Sequence, residues 1–174
     1  MGLSWPSMEE DDQVGDFKIS PKVKKKLKNK DLLKDELAEG KTAQEIMEFS
    51  DETLARFYDA AYRLFRANRF EDAANAFLFL VTLNPYNHDF WLGLGMSAQM
   101  LGDHDAAMDA YEMAASCQID NPVPYFYLAK CLFETHERDC AIQALDLAIE
   151  YSNDLPQYAE LKQQAEEVKR LLGS

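Results

Sequence analysis

Few residues in this chain have the types and spacing that catalysis or metal binding requires. Gly93, Gly95 and Ala98 fit the G-x-G-x-x-A pattern of a dinucleotide-binding turn. That turn follows a β-strand, whereas the surrounding spacing here places both glycines inside a helix. The three histidines share neither an HExxH motif nor i, i+4 spacing, which argues against a zinc site. With no G-x-S-x-G motif and no P-loop in the sequence, we expect no catalytic residue, no metal ligand and no cofactor.

Composition excludes several classes of partner. The 174-residue chain has 18 basic and 31 acidic side chains, a formal net charge of −13. This surplus of acid disfavours nucleic acid and anionic membrane surfaces, because phosphate groups are bound by an excess of Lys and Arg. No apolar run approaches the roughly 20 residues of a membrane span. Residues 9–12 are acidic where a signal peptide would be basic and then apolar. Three cysteines without Cys-x-x-Cys spacing indicate reduced thiols. We predict a cytoplasmic protein that does not insert into membranes.

The start of the chain has an uneven charge distribution. Residues 1–20 contain five acids and one lysine, whereas residues 21–30 contain six lysines and no acid. We predict a flexible arm over residues 1–30, acidic and then Lys-rich, which either binds an acidic partner or is simply solvated. A helical N-terminal segment is predicted over 31–49, where Thr42 and Glu45 form a capping box.

A period of 34 residues organises the rest of the chain. Phe57, Trp91 and Tyr125 are separated by this period, and we call such a set of positions a column. Six further columns hold apolar or small residues: Ala60/Leu94/Leu128, Ala61/Gly95/Ala129, Leu64/Ala98/Leu132, Ala73/Ala107/Ala141, Phe77/Tyr111/Leu145 and Leu80/Ala114/Ala148. The period and the W-x2-L-G and A-x3-F spacings are those of tetratricopeptide repeats.

The columns predict an all-α tetratricopeptide-repeat solenoid of three helix pairs over residues 50–155. The pairs are predicted at about 54–87, 88–121 and 122–155, after an N-terminal helix and before a C-terminal capping helix over 156–174. Small residues in two columns let the helices of a pair approach closely, and Asn121-Pro122 is typical of a helix start. The polar outer side of the last helix is expected of a segment that closes a repeat stack.

The first helices of the pairs line the concave side of such a stack, where a partner can bind. An exposed face should be polar unless something covers it, yet this one is rich in Tyr, Phe and Met. By spacing, the residues that face away from the packing columns are Tyr58, Tyr62, Phe65 and Arg66 in the first repeat, Leu92, Met96, Gln99 and Met100 in the second, and Phe126, Lys130 and Phe133 in the third. We call these the inner-face residues and predict that they form a peptide-binding groove. The alternative for any one ring is that it packs against a terminal helix.

Several segments resemble one family of chaperones. They are Ser50-Asp51-Glu52-Thr53-Leu54, Tyr58, Ala61-Tyr62, Arg69-Phe70-Glu71-Asp72-Ala73, Phe90 with Leu92-Gly93-Leu94-Gly95, and Ile149-Glu150-Tyr151-Ser152-Asn153-Asp154. They are similar, over about residues 42–172, to the class II chaperones of bacterial type III secretion, the low-calcium-response H type. The resemblance implies a cytoplasmic chaperone that grips an extended segment of hydrophobic translocator proteins and keeps them soluble before export. It implies client binding by Tyr58, Tyr62, Phe65 and Phe70. Both a monomer and a homodimer through the N-terminal helices stay open.

Other binding functions are also compatible with a repeat solenoid. A tetratricopeptide adaptor that clamps a C-terminal carboxylate needs Lys, Arg and Asn side chains that converge in the groove. Here Tyr58 and Tyr62 occupy the first-repeat positions, and Arg66 and Lys130 are the only cations among the inner-face residues. An assembly scaffold could have the same groove. An enzyme is the third class, and it would require a pocket with strongly shifted pKa values.

Overall fold

The structure is a computed structural model that describes residues 19–173, and every regular element in that range is helical. The helices are α1 Pro21–Leu27, α2 Lys30–Ala38, α3 Ala43–Ile46, α4 Asp51–Arg66, α5 Phe70–Leu83, α6 His88–Met100, α7 His104–Cys117, α8 Pro122–Glu134, α9 Arg138–Tyr151 and α10 Ala159–Gly173, with a 3-10 turn at Pro156–Tyr158. The all-α prediction is confirmed. The chain divides into two compact units, residues 1–56 and 57–174, which we describe separately. The acidic part of the predicted arm, up to residue 18, lies outside the described residues.

The Lys-rich segment 21–30 is helical, which corrects the prediction of a flexible arm there. Ser20 caps α1 by accepting a hydrogen bond from the Val23 backbone N–H, and Pro21 occupies the first turn. Val23 is 1% exposed, whereas Leu27 is 36% exposed, so Val23 is the residue that anchors this helix in its unit. The first helix therefore begins at Pro21, ten residues before the helical segment that the sequence predicts from Asp31 onward.

Acids outside the Lys-rich segment pair with its lysines. Lys22 Nζ lies 2.8 Å from Glu48 Oε1, and Lys26 Nζ lies 2.8 Å from Glu36 Oε1. Lys41 adds a second cation to Glu36 at 3.4 Å. The Lys26 and Lys41 ammonium groups lower the pKa of Glu36, with the Lys26 hydrogen bond as the main cause. A charge count within residues 21–30 misses these pairs because the acids lie further along the chain.

The predicted capping box at α3 is confirmed. The Glu45 backbone N–H donates to Thr42 Oγ1 at 3.2 Å, and the Thr42 backbone N–H donates to Glu45 Oε2 at 2.7 Å. The hydrogen bonds from Thr42 lower the pKa of the Glu45 carboxyl. Inside the same unit, Gln44 Nε2 donates to Asp51 Oδ1 at 2.7 Å and so connects α3 to the first turn of α4.

Helix pairs fill the second unit in chain order. Helix α6 packs on α7 and α8 packs on α9, and consecutive pairs meet where α5 packs on α6 and α7 packs on α8. Helix α4 begins in the first unit, and its residues from Phe57 onward belong to the second. There the Phe57 ring contacts Phe79 of α5, with 5.9 Å between centroids. The helices thus follow the predicted tetratricopeptide order.

The turn inside each pair uses the same backbone device. Asn68, Gly102 and His136 lie 34 residues apart, and their φ values are 59°, 80° and 66°. This left-handed conformation ends the first helix of each pair and reverses the chain. Glycine adopts it without strain, and Asn and His adopt it more readily than most residues.

Two glycines of α6 are required by close packing. A Cβ atom at Gly95 would lie 2.7 Å from Cε1 of Tyr111, and one at Gly93 would lie 2.3 Å from Cε1 of Phe77. Both rings are almost fully buried, at 0% and 1% exposure. The glycines therefore lie inside a helix, as predicted, and admit the rings of the second helices.

Helix α10 covers the end of the repeat stack. Ala165 is fully buried in a cluster that also contains Phe126, Ala129, Ala144, Leu145 and Ala148. Arg138 of α9 donates to the carbonyl of Leu172, and Lys169 pairs with Asp146. The outward polar residues of this segment are all exposed, namely Gln157, Glu160, Gln163, Gln164 and Glu167.

Candidate functional site

The first repeat carries a continuous set of aromatic rings. The Tyr58 ring stacks on Tyr62 with 6.3 Å between centroids and 6° between planes. It also lies 5.8 Å from Phe77 and 6.0 Å from Phe90. Phe77 and Phe90 are buried, whereas 45% of Tyr62 is exposed. The set therefore extends from the core to the surface, with Tyr62 at its solvent end.

Burial acts on the middle ring of this set. The half-buried Tyr58 hydroxyl is partly removed from water, and this desolvation, with smaller contributions from Asp89, Tyr62 and Asp59, raises its pKa. The hydroxyl consequently stays protonated near neutral pH. It can donate one hydrogen bond to a bound backbone or side chain.

A second pair of rings lies across the turn at Asn68. Phe65 near the end of α4 meets Phe70, the first residue of α5, edge to face at 5.4 Å. Both rings are half-buried, and the neighbouring Arg66 is exposed. The structure thus brings Phe65 together with Phe70, the position that only the family resemblance indicated.

In the second repeat the inner-face residues are apolar with one amide. Leu92 and Met96 are half-buried and pack against the core cluster that contains Tyr111. The Tyr111 hydroxyl donates to Gln99 Oε1 at 2.8 Å. Met100 is 55% exposed. The second repeat therefore offers a flexible thioether and an oriented amide.

In the third repeat a lysine lies over two rings. Lys130 Nζ is 4.4 Å from the centroid of Phe126 and 5.0 Å from that of Tyr127. Burial lowers the pKa of the Lys130 ammonium. Tyr127 in turn stacks on Tyr111 at 5.7 Å. Phe133, one turn further along α8, is 50% exposed.

Contrary to the prediction, Phe126 does not face the groove. It is 4% exposed and belongs to the cluster completed by Ala165 of α10. The alternative of packing against a terminal helix is therefore correct for this ring. Sequence reasoning also missed Tyr127, although Lys130 follows Phe126 and Tyr127 at i+4 and i+3, the spacings at which helical side chains meet.

The buried histidine has a structural role. His88 is 4% exposed; its Nδ1 lies 2.9 Å from the Ala114 carbonyl oxygen, and its Nε2 lies 3.3 Å from Asn121 Nδ2. It thereby connects the second repeat to the start of the third. Within residues 19–173, no group of three or more His, Cys, Asp or Glu side chains could hold a metal ion. Burial raises the pKa of the Cys131 thiol to about 11.

Sequence comparison then decides the family. The tetratricopeptide repeat family matches residues 58–122. Low calcium response locus protein H of Yersinia pseudotuberculosis is 34% identical over 122 residues, which cover 70% of this chain and 73% of that protein. The chain belongs to the low calcium response locus protein H family. This confirms the resemblance inferred from the sequence.

Solved structures that are similar to this chain share its fold. The translocator chaperone SycD of Yersinia enterocolitica is 30% identical, with a TM-score of 0.73 over 75% of this chain and 98% of SycD. SycD bound to a peptide of the translocator YopD is 31% identical with a TM-score of 0.70, and SycD in an alternative dimer is 32% identical with the same TM-score. Each of these two covers 72% of this chain and 96% of SycD. The low calcium response locus protein H family is thus close to type III secretion translocator chaperones, a non-enzymatic class. None of the described helices of this member has the length and hydropathy of a membrane span.

Proposed function

We propose that this chain is a cytoplasmic type III secretion chaperone that binds hydrophobic translocator proteins. An extended client segment lies along Phe70 and the inner-face residues other than Phe126, and binding keeps the client soluble and competent for export. No chemical step is needed, because shielding apolar segments is enough to prevent their aggregation. One observation carries the proposal: the aromatic rings of the first repeat extend from the core to the surface and end at the exposed Tyr62. It is made in a chain that belongs to the low calcium response locus protein H family.

Exposed rings held by other rings make good anchors. Tyr62 is stacked on Tyr58, so it loses little conformational freedom when a ligand covers it. A few aromatic anchors normally supply most of the free energy of an interface. An extended segment presents side chains alternately to opposite sides, so that every second client residue can reach the inner face. Met100 and Phe133 extend the apolar surface into the second and third repeats.

Removal of the first-repeat anchors tests the proposal. The chain is co-expressed with a translocator of its own secretion system, and the YopD peptide bound by SycD serves as a second, fluorescent probe. We expect Tyr62→Ala and Phe65→Ala to abolish client co-purification, with a loss of at least about 30-fold in peptide affinity. Helicity and thermal unfolding, followed by circular dichroism, should remain close to wild type for Tyr62→Ala, because nearly half of that residue is exposed and its described ring contact is with Tyr58.

Tyr86→Ala is the matched control. Tyr86 is 74% exposed and does not belong to the inner-face residues. It should retain the client fully. If Tyr62→Ala and Phe65→Ala also retain it with normal helicity, the assignment of the groove is wrong.

The adaptor alternative has less support. A clamp for a C-terminal carboxylate needs converging cations, whereas Arg66 lies in the first repeat and Lys130 in the third. Peptides with free and amidated C-termini separate the two functions, since only an adaptor depends on the free carboxylate. A homodimer of the free chain through its N-terminal helices stays a prediction, which sedimentation velocity would test.

A further inference from the structure

The charge of Lys130 has no counter-charge nearby. Its ammonium lies over the rings of Phe126 and Tyr127, an attractive arrangement that orients a cation but leaves its charge intact. Among the described residues, no carboxylate oxygen lies within 4 Å of Lys130 Nζ. Glu134, one helical turn further along α8, is also not within that distance. Lys130 is exposed overall, but the two rings displace part of the water around its ammonium, and this desolvation lowers its pKa.

Gln99 offers hydrogen-bond donors in the second repeat. Its Oε1 accepts from the Tyr111 hydroxyl at 2.8 Å, so the amide nitrogen keeps its two N–H groups. No hydrogen bond from this nitrogen to another described residue occurs. Tyr111 stacks on Tyr127, the ring beneath Lys130. Two stacked tyrosines therefore connect an amide donor of the second repeat with a cation of the third.

We propose that the client segment places the carboxylate of an internal Asp or Glu residue against Lys130, while the Gln99 amide is left to donate to a neighbouring polar group of the same segment. This inference rests on the proposed function and specifies the segment that the groove selects. Apolar client residues bind at the first repeat, and one acidic residue fixes the register of the segment at the third. The net charge of −13 disfavours an acidic segment over most of the chain, and of the two inner-face cations only Lys130 is held over aromatic rings.

The carboxylate belongs to a side chain rather than to a chain terminus. A terminal carboxylate is held by several cations that converge on it, and the inner-face residues include, besides Lys130, only Arg66 of the first repeat. One lysine matches a single side-chain carboxylate, which accepts charge-assisted hydrogen bonds from its ammonium. Such bonds are stronger than those between neutral groups, particularly where water is partly excluded.

Matched peptide pairs test this inference. Overlapping segments of YopD are synthesised with acetylated and amidated ends, and each acidic segment has a twin in which Asp or Glu is replaced by Asn or Gln. We expect the wild-type chain to prefer one acidic segment over its amide twin by about tenfold. Lys130→Met, which keeps the length and apolar stem of the side chain, should reduce that preference to within about twofold. Lys130→Arg should retain it.

A control variant and the possible contrary outcomes separate this inference from the proposed function. Lys162→Met makes the same change of charge on α10 and should leave the preference intact. A preference that survives in Lys130→Met, or a wild-type chain that binds segments through Tyr62 without any acid preference, overturns the inference but not the proposed function. If the chain prefers peptides with a free C-terminus over amidated ones, the bound carboxylate is a terminal one and not a side-chain one. That result also overturns the inference. If no segment binds in a Tyr62-dependent manner, the proposed function falls, and the inference falls with it.

Discussion

Replacement of Gly95 with alanine tests the packing between α6 and α7 directly. The new Cβ would lie 2.7 Å from Tyr111 Cε1, about 0.7 Å short of the 3.4 Å at which ordinary contact begins. Tyr111 is fully buried, so its ring cannot move aside without displacing its neighbours. Overpacking of this kind costs about 1–3 kcal/mol. The better helix propensity of alanine returns about 1 kcal/mol. We therefore expect a net loss of up to about 2 kcal/mol in the free energy of unfolding.

The third repeat suggests how to relieve the clash. There the same two columns hold Ala129 and Leu145 in place of Gly95 and Tyr111, so an alanine is tolerated opposite a smaller side chain. Tyr111→Leu alone should cost about 2–4 kcal/mol, because it leaves a cavity and removes the hydrogen bond to Gln99. The double variant, which reproduces the third-repeat pair, should be more stable than the sum of the two single losses by about 1 kcal/mol.

Urea unfolding followed by circular dichroism measures the stability of the wild type, the two single variants and the double variant, which together form a double-mutant cycle. Gly173→Ala is the control, because a Cβ at Gly173 would meet nothing within 4 Å; it should be neutral or slightly stabilising. Additive losses, or a Gly95→Ala variant that is more stable than wild type by the full helix-propensity gain of about 1 kcal/mol, would show that the ring has room to move and that the steric reasoning is wrong.

Two further predictions concern backbone strain and charge. Gly102→Ala should lose about 1–2 kcal/mol of stability because of the backbone φ of 80° alone, since the new Cβ would meet nothing within 4 Å. His136→Gly should gain about 0.5 kcal/mol, because glycine adopts the φ of 66° without strain. Urea unfolding measures both changes. The pKa of Glu36 is below its ordinary value, so the pairing of this carboxylate stabilises the fold above pH 4.5 and is lost as the pH falls through the folded pKa. Lys26→Met should raise the Glu36 pKa more than Lys41→Met does, as measured by NMR titration of the carboxyl carbon, and an equal effect would contradict the contacts at 2.8 and 3.4 Å.

The repeat register was predictable because packing repeats with the sequence. A small residue must face each large ring, and this requirement recurs every 34 residues, so the columns of Gly95 and Tyr111 were visible without coordinates. Helix starts were equally visible where a short polar side chain precedes the helix. Asn121 before α8 accepts from the Val123 backbone N–H, as the local sequence predicted.

Other features depend on partners that sequence spacing does not reveal. Residues 21–30 have the composition of a solvated arm, and only the folded unit brings Glu36 and Glu48 to their lysines. Phe126 and Lys130 share a helical face by spacing, yet α10 closes over the ring and leaves the ammonium at the surface. Spacing identifies a face, whereas the element that covers part of that face is a tertiary property.

The buried ring of Tyr111 belongs both to the core and to the proposed selection of the client. Its edge packs on Gly95, its hydroxyl orients Gln99, and its face supports Tyr127 beneath Lys130. Because the ring is rigid, a displacement of its edge moves the hydroxyl and the stacked face together. Stability and selection of the acidic client residue are therefore coupled in the second repeat. Tyr62 is coupled more weakly, since 45% of it is exposed and it reaches the buried rings only through Tyr58, and for this reason substitution there affects client binding more than folding.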